Sequence, residues 1–596
     1  MKNLAILSLL FAGIVQSTSH QEFLKQYETY NAKDIRLESD SLPIFKNHFG
    51  VSYTQEESNG GVTRKTLLGA PPSLYGTWER RHDFITQQTQ NLKTQKEKKL
   101  NNTLYKCQQR GDSGTEYFEF LPSFAANVNA SHPTYSFTSG LCFQQIDFAI
   151  SYYPSPENFT SVTLDVTTSK PKSLLCSDNL FIGTFEIYHI EDFFFQKTTQ
   201  IVYNNLTADE KEDILFNGIT VYLFCDGIID ELVSVFNTLE LFVGGISTNP
   251  WLPIIGSHVP EYMEKANVNF LNETIGWNLQ VRPVQEVVLD KSLIKSGDYL
   301  MVFRLDGLDE IIMYGTGSHV GHSVMAMWFP DGELYVVESQ DGWYWPIHNI
   351  QKNKFDDWIQ YARNADFHVA ILPLKDEMRE KFNYTAALQF FNESEGLPFG
   401  YHTFLVGWLD TPEDNLPPLI PARFVPILFE ILNKFIPDTI DIFLVQGLNH
   451  RLGTQNLTYP EVASAAAERG LTMEQLMAIP EQDGWLYHGI EPKDGRSYVC
   501  SSFVTGMYKA AGLFGDKVIN PQEIHDRDLY NMNLFNKTQS LPEACKAADP
   551  TLPYCQILGK YRMDIADKEL SYLEVYDHYC EKCPTIGPDF FRPDGC

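Results

Sequence analysis

Two textures and one isolated cysteine predict an α+β protein of more than one domain. Between residues 105 and 245 the chain runs in short alternating segments rich in β-branched and aromatic residues, with Cys107, Cys142, Cys176 and Cys225 among them. That pattern predicts a β-sandwich-like, disulfide-stapled domain. From about Val284 strand and helix patterns alternate, and in that region Cys500 opens an apolar helical run, Cys500-Ser-Ser-Phe-Val-Thr-Gly-Met-Tyr-Lys-Ala-Ala-Gly512. A length of 596 residues and 43% hydrophobic content allow two or three cores.

The elements follow in order. Lys2, the apolar run Leu4 to Val15 and the small residues Ser17 and Ser19 read as a signal peptide over 1–19. The segment 20–104 is polar and then helical. Its first part, 20–75, lacks periodicity and is a candidate prosegment, and Tyr75–Leu100 reads as a helix with a solvated charged end at Lys96-Glu-Lys-Lys99. Within 105–245 the strand candidates are Tyr117–Phe120, Phe148–Tyr153, Ser161–Val166, Leu180–Ile182 with Phe185–Tyr188, Gln200–Tyr203 and Ile219–Phe224. No catalytic constellation falls there, so an accessory or recognition role is expected. A second domain is expected over 284–540, with strands at Gly297–Phe303, Gly321–Phe329, Glu333–Ser339 and Phe367–Leu372, a helix over Asp376–Asn392 and an insertion at 410–495. Residues 541–596 read as a cysteine-rich tail carrying Cys545, Cys555, Cys580, Cys583 and Cys596.

Composition narrows the function classes. A net charge of −30 argues against nucleic-acid binding, because phosphates would be repelled. It suits a secreted protein or one in the lumen of an acidic, lysosome-like vesicle, where protonation relieves self-repulsion. Nine Asn-X-Ser/Thr triplets, at Asn101, Asn129, Asn158, Asn205, Asn272, Asn383, Asn392, Asn456 and Asn536, predict a glycoprotein with these sites on exposed loops. No later stretch reaches the roughly 18 uncharged apolar residues of a membrane span. The richest, Phe424 to Leu448, is interrupted by Glu430, Lys434, Pro437, Asp438 and Asp441. Its two apolar pieces are expected to pack on the core; a lid over Cys500, or a face for lipid acyl chains through 424–448, is the alternative. Ten cysteines in an exported chain read mainly as disulfides, and leaving Cys500 free makes the remaining nine an odd set.

The chemistry converges on three residues. A thiol at a helix start lies in the positive end of the helix dipole, which favours the thiolate. Pro330-Asp-Gly332 is a hairpin turn, so His322 near the start of one strand and Glu338 near the end of the next fall within reach of each other. A carboxylate there would orient the imidazole, as in a triad. His319 is the competing base, but its partner across the hairpin would lie past Ser339. His319 and His322 lack a third ligand for a metal, and Gly315-Thr-Gly317 has the wrong spacing and the wrong following element for a phosphate loop. Neither a metal nor a cofactor is expected. Gly-x-Ser-x-Gly and His-Glu-x-x-His are both absent from the sequence.

These segments resemble the circularly permuted NlpC-type branch of the papain-like superfamily, of which YiiX-like proteins are examples. The residues that carry the resemblance are Gly297-Asp298, Gly321-His322-Ser-Val-Met, Tyr335-Val-Val-Glu338-Ser, Gly396-Leu-Pro-Phe-Gly-Tyr401 and Tyr498-Val-Cys500-Ser-Ser-Phe-Val504. It covers the chain from about Val284 to Gly515, with histidine first and cysteine last. It implies a permuted papain-like catalytic domain behind the β-rich domain, with Cys500 as nucleophile, His322 as general base and Glu338 as the orienting residue. The implied activity is a thiol hydrolase acting on a peptide, γ-linked amide or acyl-ester substrate through a thioester. A non-enzymatic secreted or surface scaffold and a thiol-dependent lipid acyltransferase are the competing expectations.

Overall fold

The computed structural model describes residues 122–565 apart from 139–141, 174–176, 185–186, 194, 225–232, 235–236, 239–257, 317, 341–349, 398, 401–423, 436, 478, 480–497 and 537–540. The expected signal peptide, the 20–104 segment, the strand at Tyr117–Phe120, Asn101 and the tail beyond 565 lie outside the described residues. The protein is α+β, with antiparallel sheets and separate helices. Its described residues fall into two compact units, one holding 122–238 and 424–479, the other 258–400 and 498–565.

In the first unit two four-stranded antiparallel sheets enclose one core. The strands are β1 (Ser123–Val128), β2 (Thr134–Phe137), β3 (Ile146–Tyr153), β4 (Ser161–Thr168), β5 (Asp178–Gly183), β6 (Tyr188–Phe193), β7 (Thr198–Asn204) and β8 (Ile219–Phe224). One sheet runs β1-β8-β5-β6 and the other β2-β3-β4-β7. Strand alternation builds the core: Phe148 and Ile150, Val162, Leu164 and Val166, Leu180 and Ile182, and Val221 and Leu223 all point between the sheets. Cys142 is disulfide-bonded. The helix Ala208–Asn217 starts at a capping box in which the Thr207 hydroxyl accepts the Glu210 N–H and Glu210 accepts the Thr207 N–H.

β5 and β8 are buried on both faces. The second face is covered by the helix Phe424–Phe435, whose Phe424 ring makes edge contacts with Phe181 at 5.6 Å and Tyr222 at 5.0 Å. Residues 424–479, expected inside an insertion of the second domain, thus pack with the β-rich domain. Phe424, Val425, Ile427, Leu428, Phe429, Ile431 and Leu432 are all buried, so these residues of the helix present no apolar face to solvent.

The second unit is built on a six-stranded antiparallel sheet, β12-β11-β10-β9-β13-β14. Its strands are β9 (Tyr299–Phe303), β10 (His322–Trp328), β11 (Leu334–Ser339), β12 (Ile350–Lys354), β13 (His368–Leu372) and β14 (Cys555–Leu558). One face carries Leu300, Val302, Val324, Ala326, Val336, Val369 and Ile371 under Phe355, Trp358 and Ala362 of the helix Phe355–Asn364. The opposite face of β10 and β11 is met by the helix Cys500–Ala510. Residues 543–565, expected as the head of a tail, supply the edge strand β14, and Cys545–Cys555 closes a disulfide beside it. The expected Asp376–Asn392 helix is two helices, Asp376–Lys381 and Tyr384–Ser394. Asn383 breaks it by accepting the Ala386 N–H as an N-cap.

Candidate active site

The β10–β11 hairpin pairs Met325 with Val337 and Trp328 with Leu334, closed by Gly332 in the left-handed region at φ 81°. Continuing this register sets Glu338 opposite Val324, on the same face as His322 and one pleat away. The side chains meet: His322 Nε2 lies 2.9 Å from Glu338 Oε2, and the two residues are 6% and 3% exposed. The other carboxylate oxygen accepts Trp358 Nε1–H at 3.0 Å and Asn353 Nδ2–H at 3.4 Å. A carboxylate so engaged fixes the ring with Nε2–H donating to Glu338, which turns Nδ1 into the proton-accepting position.

Cys500 is the first residue of its helix, entered from an extended Val499, and its thiol is free. The segment before it is anchored to the sheet. The Tyr498 carbonyl accepts Ser339 Oγ–H at 2.6 Å and the Gly400 N–H at 3.0 Å. The sulfur is met by the backbone N–H of Ser501 and of Ser323, the residue after His322. The structure reverses the expected acidity of this thiol. Burial pushes it well above its ordinary range, and the Asp526 and Asp309 carboxyls push the same way, outweighing the two N–H groups. At 8% exposure desolvation of the thiolate overrides the helix dipole.

Several residues at the site carry no motif that singles them out. Ser323 Oγ–H donates to the Asp526 carboxylate and lies 2.6 Å from the Tyr299 hydroxyl. Burial lifts the Asp526 carboxyl, while the Ser323 hydroxyl and the charges of His322 and His525 act in the opposite sense. Asp309 accepts the Arg304 N–H at 2.6 Å and lies against Gly321, where a Cβ would overlap its carboxyl. A glycine before His322 is therefore required by packing. The spacing Phe355, Trp358, Ala362 is the one sequence signal that could have found the Trp358 helix. Nothing in the local pattern links Asp526 to a site 203 residues away.

The remaining candidates separate cleanly. His319 stacks on Trp277 at 4.5 Å, and burial and Arg527 bring its imidazole down to about 4. Among the described residues no carboxylate partners it. Gly297 sits at φ 90° with Phe382 and Leu374 against it, and its carbonyl accepts the Tyr508 hydroxyl. Asp298 accepts the Lys295 N–H and pairs with Arg379, so this motif ties the entry of β9 to the Asp376–Lys381 helix. Among the described residues no group of three His, Cys, Asp or Glu side chains could hold a metal ion. Of the sequon asparagines, Asn158, Asn205, Asn272, Asn383, Asn392 and Asn456 are exposed, and Asn129 and Asn536 are half-buried. Asn272 and Asn392 lie on helices rather than on the expected loops. Among the described residues no helix is long and apolar enough to cross a membrane.

Compared with known proteins, the chain matches no family model, no curated protein and no solved structure.

Proposed function

We propose that the chain is a cysteine hydrolase of the permuted papain-like kind, cleaving an amide or ester with Cys500, His322 and Glu338. The observation that carries this reading is the buried His322–Glu338 hydrogen bond at the end of a strand whose next N–H meets a free cysteine sulfur. His322 opens β10 on the Trp358 side of the sheet, so in the reaction its ring must turn at the strand end to bring Nδ1 to the sulfur and take the Sγ–H proton. The sulfur then attacks the acyl carbon. The Cys500 N–H at the helix start is oriented to receive the oxyanion. Collapse expels the amine or alcohol, which takes the proton from Nδ1. Water then attacks the thioester with Nδ1 as base, releasing the acid and restoring the thiol. Glu338 stabilises the imidazolium. The Cys142 and Cys545–Cys555 disulfides and the exposed sequons support a secreted or vesicle-lumen location.

A second reading has its own observation. Burial and Asp526 both hold the Cys500 thiol protonated, as expected of a scaffold that keeps the fold without the chemistry. A panel of peptide, γ-linked amide, acyl ester and lipid ester substrates, run with native protein and Cys500→Ala, separates the two. Turnover lost in the variant supports the hydrolase. No turnover in either protein supports the scaffold, and equal rates in both show that Cys500 is not the nucleophile. Transfer of the acyl group to an added alcohol in preference to water would make it an acyltransferase.

A further inference from the structure

We propose that Asp526 is a positioning residue for the Cys500 chemistry, holding Ser323 so that its backbone N–H meets the sulfur while its charge opposes formation of the thiolate. The inference rests on the reading of Cys500 as a nucleophile and concerns what governs its ionisation. Ser323 presents two groups to two partners: its hydroxyl donates to Asp526 and its N–H meets Cys500 Sγ. Because that hydroxyl proton is committed to Asp526, the Tyr299 hydroxyl, 2.6 Å away, donates to Ser323 Oγ. The chain Tyr299 to Ser323 to Asp526 is thus polarised toward one carboxylate as its terminal acceptor.

Asp526 is not used to cap its own helix. The helix Asp526–Asn531 is capped by His525 and Asp528, with Asp528 accepting the His525 N–H. A carboxylate that is 3% exposed, takes only its own backbone N–H within its element and is bonded to the residue beside His322 acts on the candidate site. The charged and titratable groups facing the sulfur are Tyr299 from β9, Asp309 from the helix Leu308–Thr316 and Asp526, and His322 from β10 and His525 act in turn on Asp526. Tyr508 lies further along the helix of Cys500 itself. Among them Asp526 is the strongest charge opposing the thiolate.

The test is iodoacetamide labelling of Cys500 in the full chain, quantified on its tryptic peptide from about pH 6 to about pH 11. Native protein, Asp526→Asn and His322→Ala are compared, with thermal melts to check folding. Asp526→Asn keeps an amide for the Ser323 hydroxyl and removes the charge. The labelling midpoint should fall by about one pH unit, a roughly 10-fold faster reaction below the midpoint. A midpoint equal to that of the native protein overturns the proposal, whereas a merely structural role would lower the melting temperature and leave the midpoint in place. If Asp526→Asn does not fold, Asp526→Ser serves: its hydroxyl leaves Ser323 a neutral acceptor, and it should shift the midpoint the same way. An unchanged or raised midpoint there overturns the proposal. His322→Ala tells the two failures apart. A profile that responds to His322→Ala but not to Asp526→Asn sinks the Asp526 inference alone. One indifferent to His322→Ala sinks the Cys–His reading, and native protein that never labels sinks both.

Discussion

Both units contain an antiparallel sheet buried on two faces beneath a helix, and they fill that helix–sheet interface with opposite materials. Under the helix Phe424–Phe435 lie Phe181 and Tyr222, ring against ring. Beside the helix Cys500–Ala510 lie Tyr299, Ser323 and Asp526, joined by hydrogen bonds, with His322 and Glu338 paired on the other side of the same strands. The first arrangement is stabilised by apolar burial and aromatic edges, which tolerate imperfect geometry. The second buries groups that stay favourable only while each keeps its partner. On the proposed reading, the surface that holds the fold and the surface that does chemistry are separate among the described residues.

The contrast is broken most directly by one substitution in each interface. Cys500→Ala should abolish hydrolysis, a loss of at least about a thousandfold or roughly 4 kcal/mol of barrier, with the melting temperature near native. Phe424→Ala should instead destabilise the β-rich unit by about 3–5 kcal/mol, read as an early transition in a thermal melt. Reversal of that pattern would show that Cys500 is core packing. Next in size, Glu338→Gln keeps the shape but removes the charge that stabilises the imidazolium. kcat/KM should fall about a hundredfold with little change in KM, and an unchanged kcat would remove Glu338 from the reaction.

Acid should find the polar unit first. The His319 imidazole lies at about 4 and that of His368, stacked on Phe303, at about 3, against an ordinary value of 6.5, burial being the main cause for both. Below about pH 6.5 the unfolded chain binds these protons before the folded one does. The stability they contribute is complete above that pH and is lost as pH falls toward 4, by about 2 kcal/mol each between pH 6.5 and 5. Melts at the two pH values with His319→Phe and His368→Phe should show the slope flatten; an unchanged slope would mean that other groups carry the acid response. The smallest effect is expected from Trp358→Phe, which removes one donor from Glu338. It should cost about 1–3 kcal/mol and a few-fold in rate, and a neutral result would show that Asn353 alone suffices to orient the carboxylate.

The strands with clear alternation were legible in the sequence: β3, β4, β7 and β8 fall where apolar and polar residues alternate or where a run of β-branched residues is bounded by turns. β1 was not, because Ser-Phe-Ala-Ala-Asn-Val has no period of two, and β2 is four mostly exposed residues. The Phe424 helix shows its apolar character in sequence, but an apolar face does not name the surface it will cover, and this one covers β5 and β8. At the site, His322 and Glu338 could be paired because a hairpin makes their separation a local matter. Asp526, Ser323 and Trp358 could not, since tertiary packing alone brings them together, and the acidity of Cys500 followed burial that the helix-start argument did not contain.

The central claim is that Cys500 forms an acyl thioester with help from His322. A nitrophenyl acyl ester mixed with native protein, quenched in acid and digested, should leave one acyl group on the peptide carrying Cys500, absent from Cys500→Ala and strongly reduced in His322→Ala. An acyl group found only on other residues, or equal acylation in the His322→Ala protein, would contradict the account.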